Sequence, residues 1–284
     1  MTKSKRKHFG FIDQIIWWEG HINTSHLIDK YKITRTQASN ILKEYRCTYP
    51  NKLIYNSSAK AYLLNESYSI HHKMSDQGYK FTDYLRAIDI NAHKQHSKLA
   101  ICAFEVEAPL RNINAVQVRP ILKALREQLA IDIGYISLSS PDYLDRIIEP
   151  HALIFDGLRW HVRAYCRKNS DFRDFVLSRF NGEAIFEGKA ICNAAQDVKW
   201  QTFVDVVIQP DPRLTVKQQE IIANDFQMKN GVKTISTRAA LVNYLLLRLR
   251  IDNNKNTPEE QQIIITPECQ KQISQYLPNT KVLT

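Results

Sequence analysis

TSHLIDKYKITRTQASNILKEYR, residues Thr24–Arg46, is the stretch on which the reading of this chain turns. Two short amphipathic segments flank the Lys32-Ile33 turn. In the second, Ala38, Ile41, Leu42 and Tyr45 recur at i, i+3, i+4, i+7 and define one buried helical stripe. Thr34 followed three residues later by Gln37 has the form of a capping box, so the helix starts there. At 100° per residue the opposite face carries Thr36, Ser39, Asn40 and Lys43, with Arg35 beside it at the N-terminus. A short helix, a tight turn and a second helix with a polar face lacking acids in its first two turns is the pattern of a helix-turn-helix. Its second helix enters the DNA major groove.

The flanks extend the pattern. Upstream, Phe9, Ile12, Ile15, Ile16 and one or both of Trp17 and Trp18 make an amphipathic helix stopped by Gly20. Downstream, Leu53–Tyr55 and Ala61–Leu64 bracket an Asn-Ser-Ser turn and predict a β-hairpin, with Lys52 at its base and Lys60 near its tip. Three helices and a hairpin make the winged form of the motif.

Charge agrees with that reading. Of a net +10, residues 1–64 carry +7, from 11 Lys+Arg against 4 Asp+Glu, so the basic excess sits on the DNA-reading segment. The five cysteines are odd in number, widely spaced and without a CxxC pair, which argues against a disulfide framework or zinc knuckle and fits a reducing cytoplasm. The N-terminus is basic and then apolar, but Asp13, Gln14 and Glu19 interrupt the apolar run, unlike a signal peptide. No segment reaches the ~20 apolar residues of a membrane span. The expectation is a soluble, cytoplasmic protein with no membrane partner.

At 284 residues the chain has room for two or three domains. Lys80–His96 and Asn114–Ala130 read as helices, and Leu99–Glu107 as a strand. From Ile131 the period falls to two, with strand candidates Ile133–Ser139, Asp145–Glu149, Leu153–Phe155, Trp160–Cys166 and Asp174–Phe180. Five short strands at this spacing predict a small antiparallel barrel or curled sheet. A third α+β unit follows, with strand Phe203–Gln209, a helix after Thr215, an apolar helix Thr237–Arg250 and strand Gln262–Thr266. The helix Thr237–Arg250 serves either the core of that unit or a dimer contact. The expected division is 1–95 for the winged helix-turn-helix and linker helix, 96–200 for connector and strand domain, and 201–284 for a C-terminal extension that dimerises.

The strand region carries a resemblance. The segments IGYISLSS (Ile133–Ser140), RIIEP (Arg146–Pro150), GLRWHVRAYC (Gly157–Cys166) and FRDFVLSRF (Phe172–Phe180) resemble the WYL domain of bacterial transcriptional regulators. The name-giving triplet falls on Trp160-His161-Val162, keeping only its first letter. The connector FEVEAPLRNINAVQVRPILKAL is similar to that of regulators encoded beside BREX and CBASS phage-defence systems. The resemblance implies an α+β multidomain chain: winged helix-turn-helix, Sm-like small β-barrel and C-terminal cap. It also implies a homodimeric repressor on an inverted-repeat, palindromic operator in double-stranded DNA.

Carried over by position, a ligand site for an anionic or nucleotide-like effector would use Tyr135, Ser137, His161, Arg163, Arg173 and Arg179. Strand alternation places Trp160, Val162 and Ala164 on one face and His161, Arg163 and Tyr165 on the other. Arginine suits bidentate phosphate recognition, with surface ion pairing to Asp171, Asp174 and Glu183 as the plainer alternative. Trp160 reads as a packing residue. The expected DNA contacts are Thr36, Gln37, Ser39, Asn40 and Lys43 toward bases, with Arg35, Lys52 and Lys60 toward phosphates.

Other chemistry lacks support. His71-His72 and His93-x-x-His96 have no carboxylate or cysteine at matching spacing, and no metal or cofactor is expected. Ser137, Ser139 and Ser140 stand in no nucleophile elbow, and there is no P-loop or dinucleotide fingerprint. An enzyme is not expected. The competing reading is an RNA- or single-strand-binding accessory protein of a defence system, using the barrel as its binding surface.

Overall fold

The computed structural model describes residues 2–65, 67–68, 80–88, 109, 111–138, 141, 144–251 and 254–277. They belong to two compact units, 1–107 and 108–284.

In the first unit, α1 (Lys3–Glu19) ends at Gly20, whose φ of 72° is open to glycine at little cost and turns the chain into β1 (His21–Ile22). Asn23 caps α2 (Thr24–Tyr31), and Thr34 caps α3 (Arg35–Thr48). The Thr34–Gln37 capping box is present with both its bonds. The wing, β2 (Leu53–Asn56) and β3 (Ala61–Leu64), pairs in the register Leu53↔Leu64 to Asn56↔Ala61. β1 adds a third strand, order β1-β3-β2, that the sequence reading does not include. One apolar core unites Ile12, Ile15 and Ile16 of α1 with Leu27, Leu42 and Tyr45, closed by Tyr84 of α4 (Phe81–Ala87). Each such buried side chain contributes roughly 1.5–3 kcal/mol. The helix reading over Lys80–His96 is described only across α4, and the strand reading Leu99–Glu107 lies outside the described residues.

The second unit opens with α5 (Ala115–Glu127), capped by Asn114. It ends at Gln128 in the left-handed region, so Leu129 and Ala130 belong to the next strand. There follow β4 (Leu129–Tyr135), β5 (Leu144–Phe155), β6 (Trp160–Cys166), β7 (Asp171–Val176), a 3-10 turn Leu177–Arg179 and β8 (Phe180–Lys189). Two separate strand readings, Asp145–Glu149 and Leu153–Phe155, are one continuous strand. Pro150 does not break it because the register shift between Pro150 and Ala152 is a bulge, a place that tolerates a missing N–H. The reading Asp174–Phe180 is split by the 3-10 turn, and β8 goes unread by the sequence. The strand order is β7-β6-β5-β4-β8. No pairing joins β7 to β8 among the described residues, so a closed barrel is not found.

One sheet face packs with α5 around Ile131, Ile133, Ile148, Val162 and Ala164. The chain continues through α6 (Val198–Gln201), β9 (Phe203–Pro210), α7 (Val216–Asp225) and β10 (Lys233–Arg238). After a 3-10 turn, Ala239–Leu241, come α8 (Val242–Leu249), α9 (Pro258–Gln261), β11 (Ile263–Ile265) and α10 (Pro267–Ile273). The sheet β10-β9-β11 makes its own core with Val242, Leu246 and Ile273. The single helix read over Thr237–Arg250 is therefore a strand end, a 3-10 turn and the shorter α8. Val242 and Leu246 face that core, and Leu247 is exposed. No described helix is long and apolar enough to cross a membrane.

Candidate nucleic-acid interface and ligand site

On α3, Ala38, Leu42 and Tyr45 are buried, and the rest of the helix surface is open. Arg35, Thr36, Gln37, Ser39, Asn40 and Lys43 are all exposed. Gln37 is partly committed to the helix cap. Its Oε1 accepts from Thr34 N at 2.9 Å, which leaves only its amide NH₂ for another partner. Arg35, Lys43 and the wing-tip Lys60 have no ion-pair partner among the described residues. Lys60 sits at φ 48° next to a turn closed by Asn56 Oδ1, which accepts from Ala59 N at 2.9 Å.

Lys52 departs from expectation. It is 5% exposed, and its Nζ lies 2.6 Å from Asp13 Oδ1, where Tyr45 OH also donates. Its ammonium rests over the rings of Tyr45 and Tyr49, so the tertiary structure uses it inside the unit rather than on a phosphate. A basic residue missed by the sequence reading is Arg46, whose guanidinium covers the ring of wing residue Tyr62 and braces the end of α3 against the wing.

The ligand residues inferred by position do not gather into one pocket. Strand β6 is buried on both faces, Val162 and Ala164 toward the sheet core and His161 and Arg163 toward the C-terminal segment. Arg163 Nε and Nη2 grip Asp197 at 2.5 and 2.9 Å, and its Nη1 reaches Asp174 Oδ1 at 3.0 Å. Two carboxylates thus neutralise the guanidinium. His161 Nε2 meets Asp156 Oδ2 at 2.9 Å, and its ring lies 5.1 Å from that of Tyr244 on α8. Tyr135 is a core residue, edge-on to Phe175, with its hydroxyl accepting from Val176 N at 3.1 Å.

Register separates the arginines. Arg163 pairs with Asp174 and Ala164 with Arg173, so Arg173 and Arg163 project from opposite faces. Arg173 is exposed, 3.9 Å from Asp171. Arg179, half-buried on the 3-10 turn, has no side-chain partner among the described residues, and its carbonyl accepts from Ile136 N beside Ser137. Trp160 is also not core: it is 44% exposed and lies against Phe155, 46% exposed, at 5.0 Å. The pairs His71-His72 and His93-x-x-His96, with Ser139 and Ser140, lie outside the described residues.

What the sheet does assemble is a continuous polar chain of residues far apart in sequence. His151 Nε2 meets Asp197 Oδ2 at 3.0 Å, Asp197 grips Arg163, Arg163 reaches Asp174, and Asp174 Oδ2 accepts from Tyr244 OH at 2.9 Å. Burial pushes the His151 pKa below its ordinary value and outweighs Asp197, whose charge is already satisfied by Arg163. Burial alone would raise Asp197, but the Arg163 bonds hold it low. Burial and Asp174 push the Tyr244 hydroxyl up. Asp156 stays low despite burial because His161, two backbone N–H groups and Arg159 donate to it. Sequence offered no signal for Asp197, Tyr244 or His151, whose partners are decided by packing.

The arrangement links β5, β6 and β7 to the C-terminal segment through buried charge pairs, and it presents no activated nucleophile among the described residues. Three family models match the chain: BrxR transcriptional regulator winged helix-turn-helix domain over residues 4–89, WYL domain over 117–184, and BrxR transcriptional regulator C-terminal dimerization domain over 203–273. Among curated relatives, the DNA-binding transcriptional repressor CapW of Pseudomonas aeruginosa is 36% identical over 253 residues, 88% of this chain and 84% of that protein. CapW of Escherichia coli (strain KTE188) is 32% identical over 92% of this chain and 88% of its own length. CapW of Stenotrophomonas maltophilia is 28% identical over 96% and 92%. With three domain matches in the same order and relatives aligned almost end to end, this chain belongs to the CapW family of DNA-binding transcriptional repressors.

Proposed function

We infer that this chain is a dimeric DNA-binding transcriptional repressor that lays α3 in the major groove and the wing along the backbone. The observation that carries the reading is the exposed face Arg35-Thr36-Ser39-Asn40-Lys43, with Lys60, which has no ion-pair partner among the described residues, on the wing of the same unit. Thr36, Ser39, Asn40 and Lys43 read bases, with the Gln37 amide as a lesser contact, and Arg35 and Lys60 neutralise phosphates. In a two-fold dimer each winged helix takes one half of an inverted repeat in a phage-defence operon's promoter. On this reading residues 1–95 recognise DNA, 96–200 sense and 201–284 dimerise. The sheet is read as an Sm-like barrel left open, supported by its strand order and by the 3-10 turn between β7 and β8.

An anionic, nucleotide-like effector acts at the polar chain by competing with Asp174 or Asp197 for Arg163. Because Asp174 also holds Tyr244 on α8, its displacement reaches the C-terminal domain. The effector must bind the DNA-free form more tightly to shift anything. An effector titration that leaves operator affinity unchanged would overturn this part.

The first experiment is a gel shift and footprint on DNA upstream of the chain's own gene, at two salt concentrations, with random duplex and single-stranded competitors. A protected inverted repeat that survives competitor is the expected result. The exposed ring pair Phe155–Trp160 favours a second reading, base stacking on single strands. Stronger competition by single-stranded DNA or RNA than by the operator would establish that reading and displace the first.

A further inference from the structure

We propose that Glu19, His21 and His26 form a binding site for a first-row divalent transition ion of the zinc type in the winged-helix unit. They stand at the end of α1, in β1 and in α2, and the left-handed turn at Gly20 sets His21 back beside Glu19. One ligand atom from each lies within 4.8 Å of the other two. The His26 Nε2 to Glu19 Oε2 distance is 3.3 Å, which is about the spacing between two ligands of a tetrahedral ion with bonds of ~2.0–2.1 Å. The His21 and His26 rings are 5.4 Å apart and nearly perpendicular, so an ion drawing His21 inward meets no stacked ring.

The atoms that would not face the ion are already held. His21 Nδ1 lies 3.0 Å from the Glu19 carbonyl, to which it donates, leaving Nε2 with a free lone pair. His26 Nδ1 is 2.9 Å from Asn23 Oδ1, and in the tautomer that donates there Nε2 again has a lone pair. Choosing that tautomer gives up the 3.2 Å capping bond from Asn23 N–H. Glu19 Oε1 accepts from Tyr84 OH at 3.1 Å, which turns Oε2 toward the histidines. Orientation of each ligand by an outer hydrogen bond is the usual construction of a protein metal site. Two imidazoles and one carboxylate suit zinc and its neighbours, with water in the fourth position. The ion would tie α1, α2 and the third strand of the wing sheet at one point.

The test uses full-length, tag-free protein stripped by chelator and titrated with Co²⁺, whose visible absorption is intense only in four-coordinate sites. The proposal expects saturation at one equivalent per chain, displacement by one equivalent of Zn²⁺, and a higher unfolding temperature with Zn²⁺. His21→Ala abolishes the band, Glu19→Gln weakens binding severely, and Tyr84→Phe, a positioning change, weakens it about ten-fold. The combined variant His71→Ala, His72→Ala, His93→Ala, His96→Ala keeps the band. Weak multi-equivalent binding, or a band that survives Glu19→Gln, overturns the site. So does a band lost with the combined variant and retained in His21→Ala. Should His21→Ala fail to fold, Glu19→Gln, which preserves side-chain shape, decides the question.

Discussion

Arg163 and Asp197, 34 positions apart, form a two-pronged ion pair in which both side chains are almost fully buried, at 5% and 2% exposure. The pair fastens β6 of the WYL sheet to the segment that leads into the C-terminal domain. Asp197→Leu leaves a buried guanidinium with only Asp174, and is expected to destabilise residues 108–284 by ~3–5 kcal/mol. Arg163→Met with Asp197→Leu removes both charges and should cost far less than the two single changes summed. Denaturant unfolding of the four proteins tests this, and additive losses would contradict it.

His151 gives stability a pH dependence of definite sign. Its folded pKa lies below the ordinary ~6.5, because burial, helped by the nearby Arg163 charge, disfavours the imidazolium more than Asp197 and Asp174 favour it. Above pH ~6.5 both folded and unfolded histidine are neutral and nothing changes. As pH falls below that value the unfolded chain takes the proton first, so stability drops until the folded pKa is reached. The wild-type protein should lose stability as pH falls below ~6.5, and His151→Gln should lose less. Unfolding curves at stepped pH check it, with equal slopes as the contrary result.

Asn40 and Lys60 test the two kinds of DNA contact separately. Asn40→Ala should relax sequence preference and cost ~1–3 kcal/mol on the operator alone. Lys60→Ala should weaken operator and random duplex alike and reduce the salt slope by about 1. Equal, sequence-independent losses in both variants would show that α3 does not read bases.

Lys52 is the control. Buried against Asp13, it is expected to contribute to the unit's stability and not to counterion release. Lys52→Met should lower stability by roughly 1–3 kcal/mol, since the Asp13 carboxylate loses its charged partner. The salt slope of DNA binding should not change. A slope reduced as far as in Lys60→Ala would return Lys52 to the DNA-facing surface.

The winged helix was legible because its signals are local. Thr34 and Gln37 cap α3 within one turn, and the stripe Ala38-Leu42-Tyr45 fixes its buried face without reference to the rest of the chain. The limits of β6, Trp160–Cys166, were legible from alternation in the same way. β8 was not: it is mostly exposed, with Ile185 and Phe186 in solvent, so it carries no clear period of two. β5 was read as two strands because a Glu-Pro pair resembles a turn until the neighbouring strand supplies a bulge. Lys52 and Arg163 were read as ligands for an anion because a basic side chain in sequence does not reveal which carboxylate reaches it.

By itself, then, the sequence determined the reading head: a capped recognition helix, its wing and the basic surface, all specified within a few turns of chain. The order of winged helix, WYL sheet and C-terminal domain was also written in pattern and resemblance. Tertiary structure alone decided the charge partners. Asp197 meets Arg163, Tyr244 meets Asp174, and Glu19 meets His21 and His26 only after sheet register and helix packing have fixed where each backbone runs. Periodicity tells which face a residue is on, and the partner on that face depends on what is folded against it.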